Sequence, residues 1–299
     1  MSAHKQNMFK GTFTAIVTPF KDGKVDEPAF RKLIDFQIAG GVEGIVPVGT
    51  TGESPTLGRK EHLEVIRVAV EHVAGRILVI AGTGANATTE AIYLTQEAEK
   101  LGADGSLQVT PYYNKPSQEG LYQHFKTVAE CTKLPIMLYS VPGRSVVSIE
   151  PETAARLAND CENILSIKEA GGDPGRVDSL KAALPDGFPI LCGDDPLTVE
   201  FMKRGSVGLV SVASNIIPQA MSDLVRAMNA GDLAGAEAIH KQYEPLMSTL
   251  MGIDTNPVPI KAAVSLMGMC EQEIRLPLVT LTEGNMTTVK GLLEQFKLA

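Results

Sequence analysis

The sequence predicts an α/β fold, a (β/α)8 TIM barrel with a C-terminal helical appendage. Three observations predict it. Short β-rich apolar runs recur eight times in about 200 residues, segments with helical spacing lie between most of them, and beyond Asn215 only helical spacing continues. Strands that alternate with helices make a parallel sheet, and eight such units are the number that closes a barrel. An open doubly wound sheet is the alternative with the same alternation.

The first run, Thr-Ala-Ile-Val-Thr at 14–18, precedes a helix with Phe30, Leu33, Ile34 and Ile38 on one face, ended at Gly40 and Gly41. The second, Gly-Ile-Val-Pro-Val at 44–48, leads to a helix carrying Leu63, Ile66, Val70 and Val73, followed by Gly75. After the third, Ile-Leu-Val-Ile-Ala at 77–81, Thr88 or Thr89 with Glu90 reads as a helix start; Ala91, Leu94, Ala98 and Leu101 make its apolar stripe, and Gly102 follows. The fourth, Ser-Leu-Gln-Val-Thr at 106–110, precedes a start at Ser117 with Glu119 and Gly120. The others are Ile-Met-Leu-Tyr-Ser at 136–140, Ile-Leu-Ser-Ile-Lys at 164–168, Pro-Ile-Leu-Cys at 189–192 and Gly-Leu-Val-Ser-Val at 208–212. Helical segments follow near 216–230, 232–251, 257–268 and 285–297. The chain divides at 222 into a barrel, 1–222, that carries the active site and a C-terminal helical region, 223–299; with no Ser/Gly-rich linker, one cooperative body is expected.

Composition narrows the function. With 27 basic and 35 acidic residues the net charge is −8, and no Lys/Arg cluster has the density that tracks phosphates, so nucleic acid is excluded as a partner. No apolar run approaches the ~20 residues that span a bilayer, and residues 1–7 lack the apolar centre of a leader, so a cytoplasmic protein is expected. Cys131, Cys161, Cys192 and Cys270 form no Cys-x-x-Cys pair, and His62 and His72 lie on different helix faces. No metal is inferred.

In a TIM barrel the site sits where strands end. Those ends read Thr-Pro-Phe at 18–20, Gly-Thr-Thr-Gly-Glu-Ser at 49–54, Gly-Thr-Gly-Ala-Asn at 82–86 and Thr-Pro-Tyr-Tyr at 110–113. The later four are Tyr-Ser-Val-Pro-Gly-Arg at 139–144, Lys168 with Glu169, Gly-Asp-Asp at 193–195 and Ser-Val-Ala-Ser-Asn at 211–215. The Thr50–Thr51 turn offers backbone N–H groups and two hydroxyls to a small anion such as a carboxylate, without the lysine of a P-loop. The Gly82 turn imitates a dinucleotide fingerprint, but the next strand ends in Pro and Tyr where an acid for the ribose belongs. Arg144, after a Pro-Gly turn, suits a bidentate grip on a carboxylate, and Asp195 before Pro196 reads as a helix N-cap. Tyr139 ends its strand, where a phenol is expected to face the barrel mouth and pass protons.

Lys168 ends an apolar strand. Alone it would read as a lysine snorkelling to water, but the convergence of hydroxyls, tyrosines and an arginine on one rim favours chemistry. An ordinary lysine has about one amine in ~2,500 unprotonated at pH 7, and desolvation by apolar strands raises that fraction. The natural electrophile is a ketone or aldehyde, giving a Schiff base.

Taken together, Gly-Thr-Thr-Gly-Glu-Ser at 49–54, Ala-Gly-Thr-Gly-Ala-Asn-Ala-Thr at 81–88, Val-Thr-Pro-Tyr-Tyr-Asn-Lys-Pro-Ser-Gln-Glu-Gly-Leu-Tyr at 109–122, Val-Pro-Gly-Arg at 141–144 and Ile-Lys-Glu-Ala at 167–170 resemble the dihydrodipicolinate synthase family, over essentially the whole chain. The resemblance implies condensation of pyruvate with L-aspartate 4-semialdehyde in lysine (diaminopimelate) biosynthesis, without metal or organic cofactor. It makes Lys168 the Schiff-base lysine and places the pyruvate carboxylate at Thr50 and Thr51, with Val210 and Gly193 nearby. Tyr139 would relay protons in a chain with Thr50 and Tyr113, the latter supplied by a neighbouring subunit. The implied assembly is at least a dimer, usually a tetramer of two dimers. Arg144 would hold the semialdehyde carboxylate. It separates this family from N-acetylneuraminate lyase and the 2-keto-3-deoxy sugar acid aldolases, the alternative reading. Ser140 departs from the family's asparagine. Ser54, His62, Asn86, Glu90 and Tyr112 match the lysine site of feedback-inhibited members, whereas Pro55 and Arg59 depart from it, so weak to moderate inhibition by lysine is expected.

Overall fold

Eight parallel strands close on themselves in the computed structural model, which describes residues 8–298. Residues 1–7, the stretch read for a leader, lie outside the described residues, as does residue 299. In chain order the strands are β1 (Gly11–Ala15), a short hairpin β2 (Phe20–Lys21) and β3 (Lys24–Val25), then β4 (Gly44–Val46), β5 (Leu78–Gly82), β6 (Gly105–Val109), β7 (Ile136–Ser140), β8 (Ile164–Glu169), β9 (Ile190–Cys192) and β10 (Gly208–Ser211). All but the hairpin belong to the barrel, which closes by pairing β1 with both β10 and β4. The helices are α1 (Glu27–Ala39), α2 (Arg59–Val73), α3 (Thr88–Leu101), α4 (Gln118–Glu130), the single turn α5 (Pro142–Ser145), α6 (Pro151–Asp160), α7 (Gly175–Ala183), α8 (Thr198–Lys203), α9 (Pro218–Ala230), α10 (Leu233–Gly252), α11 (Val258–Leu266) and α12 (Glu283–Gln295).

The apolar residues split into two cores. An outer one lies between strands and helices; an inner one fills the barrel with Phe9, Phe13, Val46, Ile80, Leu107, Met137, Tyr139, Leu165, Leu191 and Val210. Period-two alternation divides them: in β7, Met137 and Tyr139 face in while Ile136 and Leu138 face out.

Four local expectations change. The first strand is Gly11–Ala15, not 14–18, because polar Thr12 and Thr14 are buried with partners, Thr14 Oγ1 donating to Gln37 Oε1 at 2.7 Å, while Ile16 and Val17 pack in the outer core. Asp22 and Gly23 both have positive φ and close the unforeseen β2–β3 hairpin. Helix α3 begins at Thr88 as expected, but without a threonine cap: its N-cap is Ala87, which has no side-chain acceptor, and the Thr88 hydroxyl is bonded to His124 Nδ1 at 2.9 Å. Asp195 is not the N-cap of its own turn. Its buried carboxylate accepts from Ser211 Oγ (2.5 Å) and from the N–H groups of Val212 and Ala213 (2.9 Å each), which ties the end of β9 to the turn after β10. Ser117, by contrast, does cap α4, accepting from Gly120 N. Residue 222, the expected division, falls inside α9, which packs on β1 and on α10.

The buried His124 ring has no partner at Nε2 among the described residues, and burial holds its pKa at about 4. Above pH about 6.5 both folded and unfolded chains are neutral there. Between about 6.5 and 4 only the unfolded chain takes up the proton, so stability falls as pH falls, by up to roughly 3 kcal/mol from this group. His62 and His240, also depressed by burial, act in the same direction. Urea unfolding from pH 7 to 4 should show this slope, and His124→Gln should flatten it. A slope unchanged by the substitution would clear His124 of the effect.

Candidate active site

The C-terminal strand ends surround a cavity of about 360 Å³, and its charged lining residues are Lys168, Arg144 and Asp194. Lys168 is 5% exposed and its Nζ lies 4.2 Å from the centroid of the Tyr139 ring, in cation–π geometry. The two residues are partners in the β7–β8 ladder. Their shared inward aim depends on an irregularity. Ile136 pairs with Ile164 but Met137 pairs with Ser166, so β8 holds one extra residue. Leu165 and Lys168, three apart, therefore both face inward, while Ile164 and Ile167 face out.

Space for the lysine is made by Gly193. A Cβ there would stand 2.7 Å from Lys168 Cε and 2.6 Å from the Ala170 Cβ, closer than carbon atoms pack. Next to it, Asp194 lines the cavity with its pKa raised by burial and further by Asp195, against the opposing pull of Lys168.

The threonine loop follows β4 and is pinned on several sides. Glu53 N donates to Thr50 O (3.1 Å), Ser54 N to Gly49 O (3.2 Å), Thr18 Oγ1 to Gly52 O (2.7 Å) and Asn256 Nδ2 to Thr51 Oγ1 (3.0 Å). Behind it, Glu53 is 1% exposed and forms an ion pair with Lys261, itself 3% exposed, at 2.5 Å. Arg144 sits on α5 at the rim, with Nη2 donating to the Asn256 carbonyl at 3.0 Å. Thr50, Thr51, Tyr139, Arg144, Lys168 and Gly193 thus line one cavity. Val210 does not; it fills the barrel interior, and Val212 lies on the wall. Tyr113 stands outside this cavity, 89% exposed with φ of 75°.

A second, more apolar cavity of about 220 Å³ adjoins the first through Thr50, Leu107, Tyr139 and Arg144, and reaches Ser54 and Tyr112. The other residues of the expected lysine site gather nearby. His62 Nε2 is 2.8 Å from Gly82 O, Asn86 Nδ2 donates to Tyr112 O (3.2 Å), and Glu90 receives Arg59 in a two-pronged ion pair, Nε to Oε1 at 2.9 Å and Nη2 to Oε2. Sequence reasoning missed Met251, Thr255 and Asn256, which come to the cavity from the C-terminal helical region. No local motif signals them, because only long-range packing brings them there.

Residues 8–296 match the dihydrodipicolinate synthetase family. A 4-hydroxy-tetrahydrodipicolinate synthase from Geobacter sp. (strain M21) is 52% identical over 291 residues, 97% of this chain and 100% of that one. The crystal structure of a dihydrodipicolinate synthase from Aquifex aeolicus superposes with a TM-score of 0.95 at 46% identity, covering 97% of this chain and 99% of that one. The enzyme from Cyanidioschyzon merolae, solved with lysine bound, superposes with a TM-score of 0.94 at 38% identity over 98% and 99% of the two chains.

Gly193→Ala is expected to displace the Lys168 side chain and to slow any reaction of its amine with a 2-oxo acid by about 10²-fold. Borohydride trapping with a 2-oxo acid measures this. Wild-type trapping rates in the substituted protein would show that the close approach is immaterial.

Proposed function

We infer that this chain, which belongs to the dihydrodipicolinate synthetase family, condenses pyruvate with L-aspartate 4-semialdehyde to give 4-hydroxy-tetrahydrodipicolinate, the entry to lysine (diaminopimelate) biosynthesis. One observation carries the assignment of roles: a single buried lysine amine lies over a phenol ring in the cavity that also holds the threonine loop and Arg144. Lys168 Nζ adds to C2 of pyruvate and, with loss of water, forms the imine. Removal of a proton from C3 gives the enamine, whose C3 attacks the aldehyde carbon of the second substrate. The semialdehyde amine then attacks the imine carbon, closes the ring and displaces Lys168.

Tyr139 is the proton carrier for these steps, and Thr50 and Thr51 seat the pyruvate carboxylate. Arg144 keeps N–H groups beyond the one bound to Asn256 for the semialdehyde carboxylate. Tyr113 completes the relay across a subunit boundary. Its exposure, its left-handed backbone and the open second cavity beside Thr50 and Tyr139 support a site completed by the partner's Tyr113, in a dimer or a tetramer of two dimers. Four free cysteines fit a reducing, cytoplasmic location.

Lysine feedback is weak in this reading. The Glu90 carboxylate, suited to lysine's ammonium, is already paired with Arg59, whose guanidinium also lies 5.1 Å from the Tyr93 ring. An effector must displace an internal cation to bind.

Turnover with both substrates, read through a coupled reductase, together with a borohydride-trapped pyruvate adduct on Lys168, is the expected result. Arg144→Ala should keep the adduct and raise KM for the semialdehyde by about tenfold or more. An adduct without turnover would move the chain to another aldehyde. Arg59→Ala should lower the lysine concentration for half-inhibition by about fivefold or more. Equal sensitivity in the two proteins would show that Arg59 does not guard Glu90.

A further inference from the structure

Asn256 touches both substrate grips at once. Its side-chain Nδ2 donates to Thr51 Oγ1 at 3.0 Å, and its backbone carbonyl accepts from Arg144 Nη2 at 3.0 Å. All three residues line the same cavity, and Asn256 is 9% exposed. We propose that Asn256 is a positioning residue that sets the direction of the Thr51 hydroxyl, so that its one O–H points as a donor toward the carboxylate of bound pyruvate.

A threonine hydroxyl has one hydrogen and two lone pairs. When a neighbouring amide donates to the oxygen, that hydrogen remains for another acceptor, and in this cavity the acceptor is the substrate anion. Left unheld, the hydroxyl is free to turn its lone pairs to the carboxylate. The Arg144 bond is made by the backbone, so it survives any change of the Asn256 side chain. One residue thus serves two grips through separable atoms. Asn256 Oδ1 is buried without a partner, so turning the amide over would leave Nδ2 unpartnered instead and reverse the hydroxyl. The two orientations have opposite consequences for substitution.

The inference rests on Thr51 as a pyruvate contact, and the experiment separates the two. Steady-state KM values for both substrates are measured for Thr51→Val, Asn256→Ala, Asn256→Asp and the double variant Thr51→Val/Asn256→Asp, with melting temperatures as a check on folding. Ionised aspartate accepts only, so it captures the Thr51 hydrogen. Asn256→Asp is expected to raise KM for pyruvate by about tenfold or more and to exceed Asn256→Ala. Asn256→Ala should leave KM for the semialdehyde within about twofold. In the Thr51→Val background Asn256→Asp should add less than about twofold, since the hydroxyl it reverses is gone.

An unchanged KM for pyruvate in Asn256→Asp would overturn the inference, as would an undiminished effect in the double variant, which would assign it to charge alone. A normal KM for pyruvate in Thr51→Val would instead remove Thr51 as a contact. If Asn256→Asp does not fold, Asn256→Ala and Asn256→Ser decide. Selective weakening of pyruvate supports the inference, and equal weakening of both substrates defeats it.

Discussion

The phase of one strand governs the chemistry of this protein. A β-strand sends alternate side chains to opposite faces, and a one-residue slip reverses every one of them. In β8 the extra residue between the Ile164 and Ser166 pairings makes that reversal, so Leu165 and Lys168 both enter the barrel. Without it, a strand with Leu165 inside would send Lys168 out among the helices, away from Tyr139 and from any substrate. The same register sets Tyr139 opposite Lys168 and brings the amine over the phenol ring.

The C-terminal region is part of the site. The Glu53–Lys261 pair joins the threonine loop to α11, and Arg275 adds to it, its backbone N–H reaching Glu53 Oε2 at 3.2 Å and its guanidinium reaching Glu61 at 2.5 and 2.7 Å. Burial lowers the pKa of Lys261, with Glu53 opposing the shift. A buried ion pair contributes little net stability against an apolar replacement, but loss of one partner leaves an uncompensated charge. Such a pair specifies a geometry more than it adds stability. Here the geometry is that of a loop proposed to seat a carboxylate.

Asp195 follows the same logic at the other side of the barrel. Three donors converge on its buried carboxylate and hold the turn after β10. In that turn Asn215 donates from Nδ2 to Ala15 O (2.8 Å) and accepts from Val17 N (3.1 Å), which secures the closing strands. Burial, the largest influence, raises the Asp195 pKa, and the three donors work against it. The adjacent Asp194 lines the cavity. Two consecutive aspartates in the turn after β9 thus divide into a structural group and a cavity group.

Local sequence signals were enough for the architecture and most of the cavity wall. Apolar runs of strand length, helical spacing between them and glycines after helices are local signals, and they located all eight barrel strands, the first displaced by three residues because Thr12 and Thr14 hide it from an apolar count. Residues at strand ends were legible for the same reason: a barrel sends its C-terminal strand ends to one rim, so position in the sequence alone gathers Thr50, Thr51, Tyr139, Arg144, Lys168 and Gly193 there. The remaining features arise from long-range packing. The added residue in β8 is a relation between two strands, the Arg59–Glu90 pair joins residues 31 positions apart, and Asn256 meets Thr51 across 205. Local spacing records which face a residue takes along its own element. It carries no information about contacts set by long-range packing, and those contacts aim the lysine, orient the threonine and occupy Glu90.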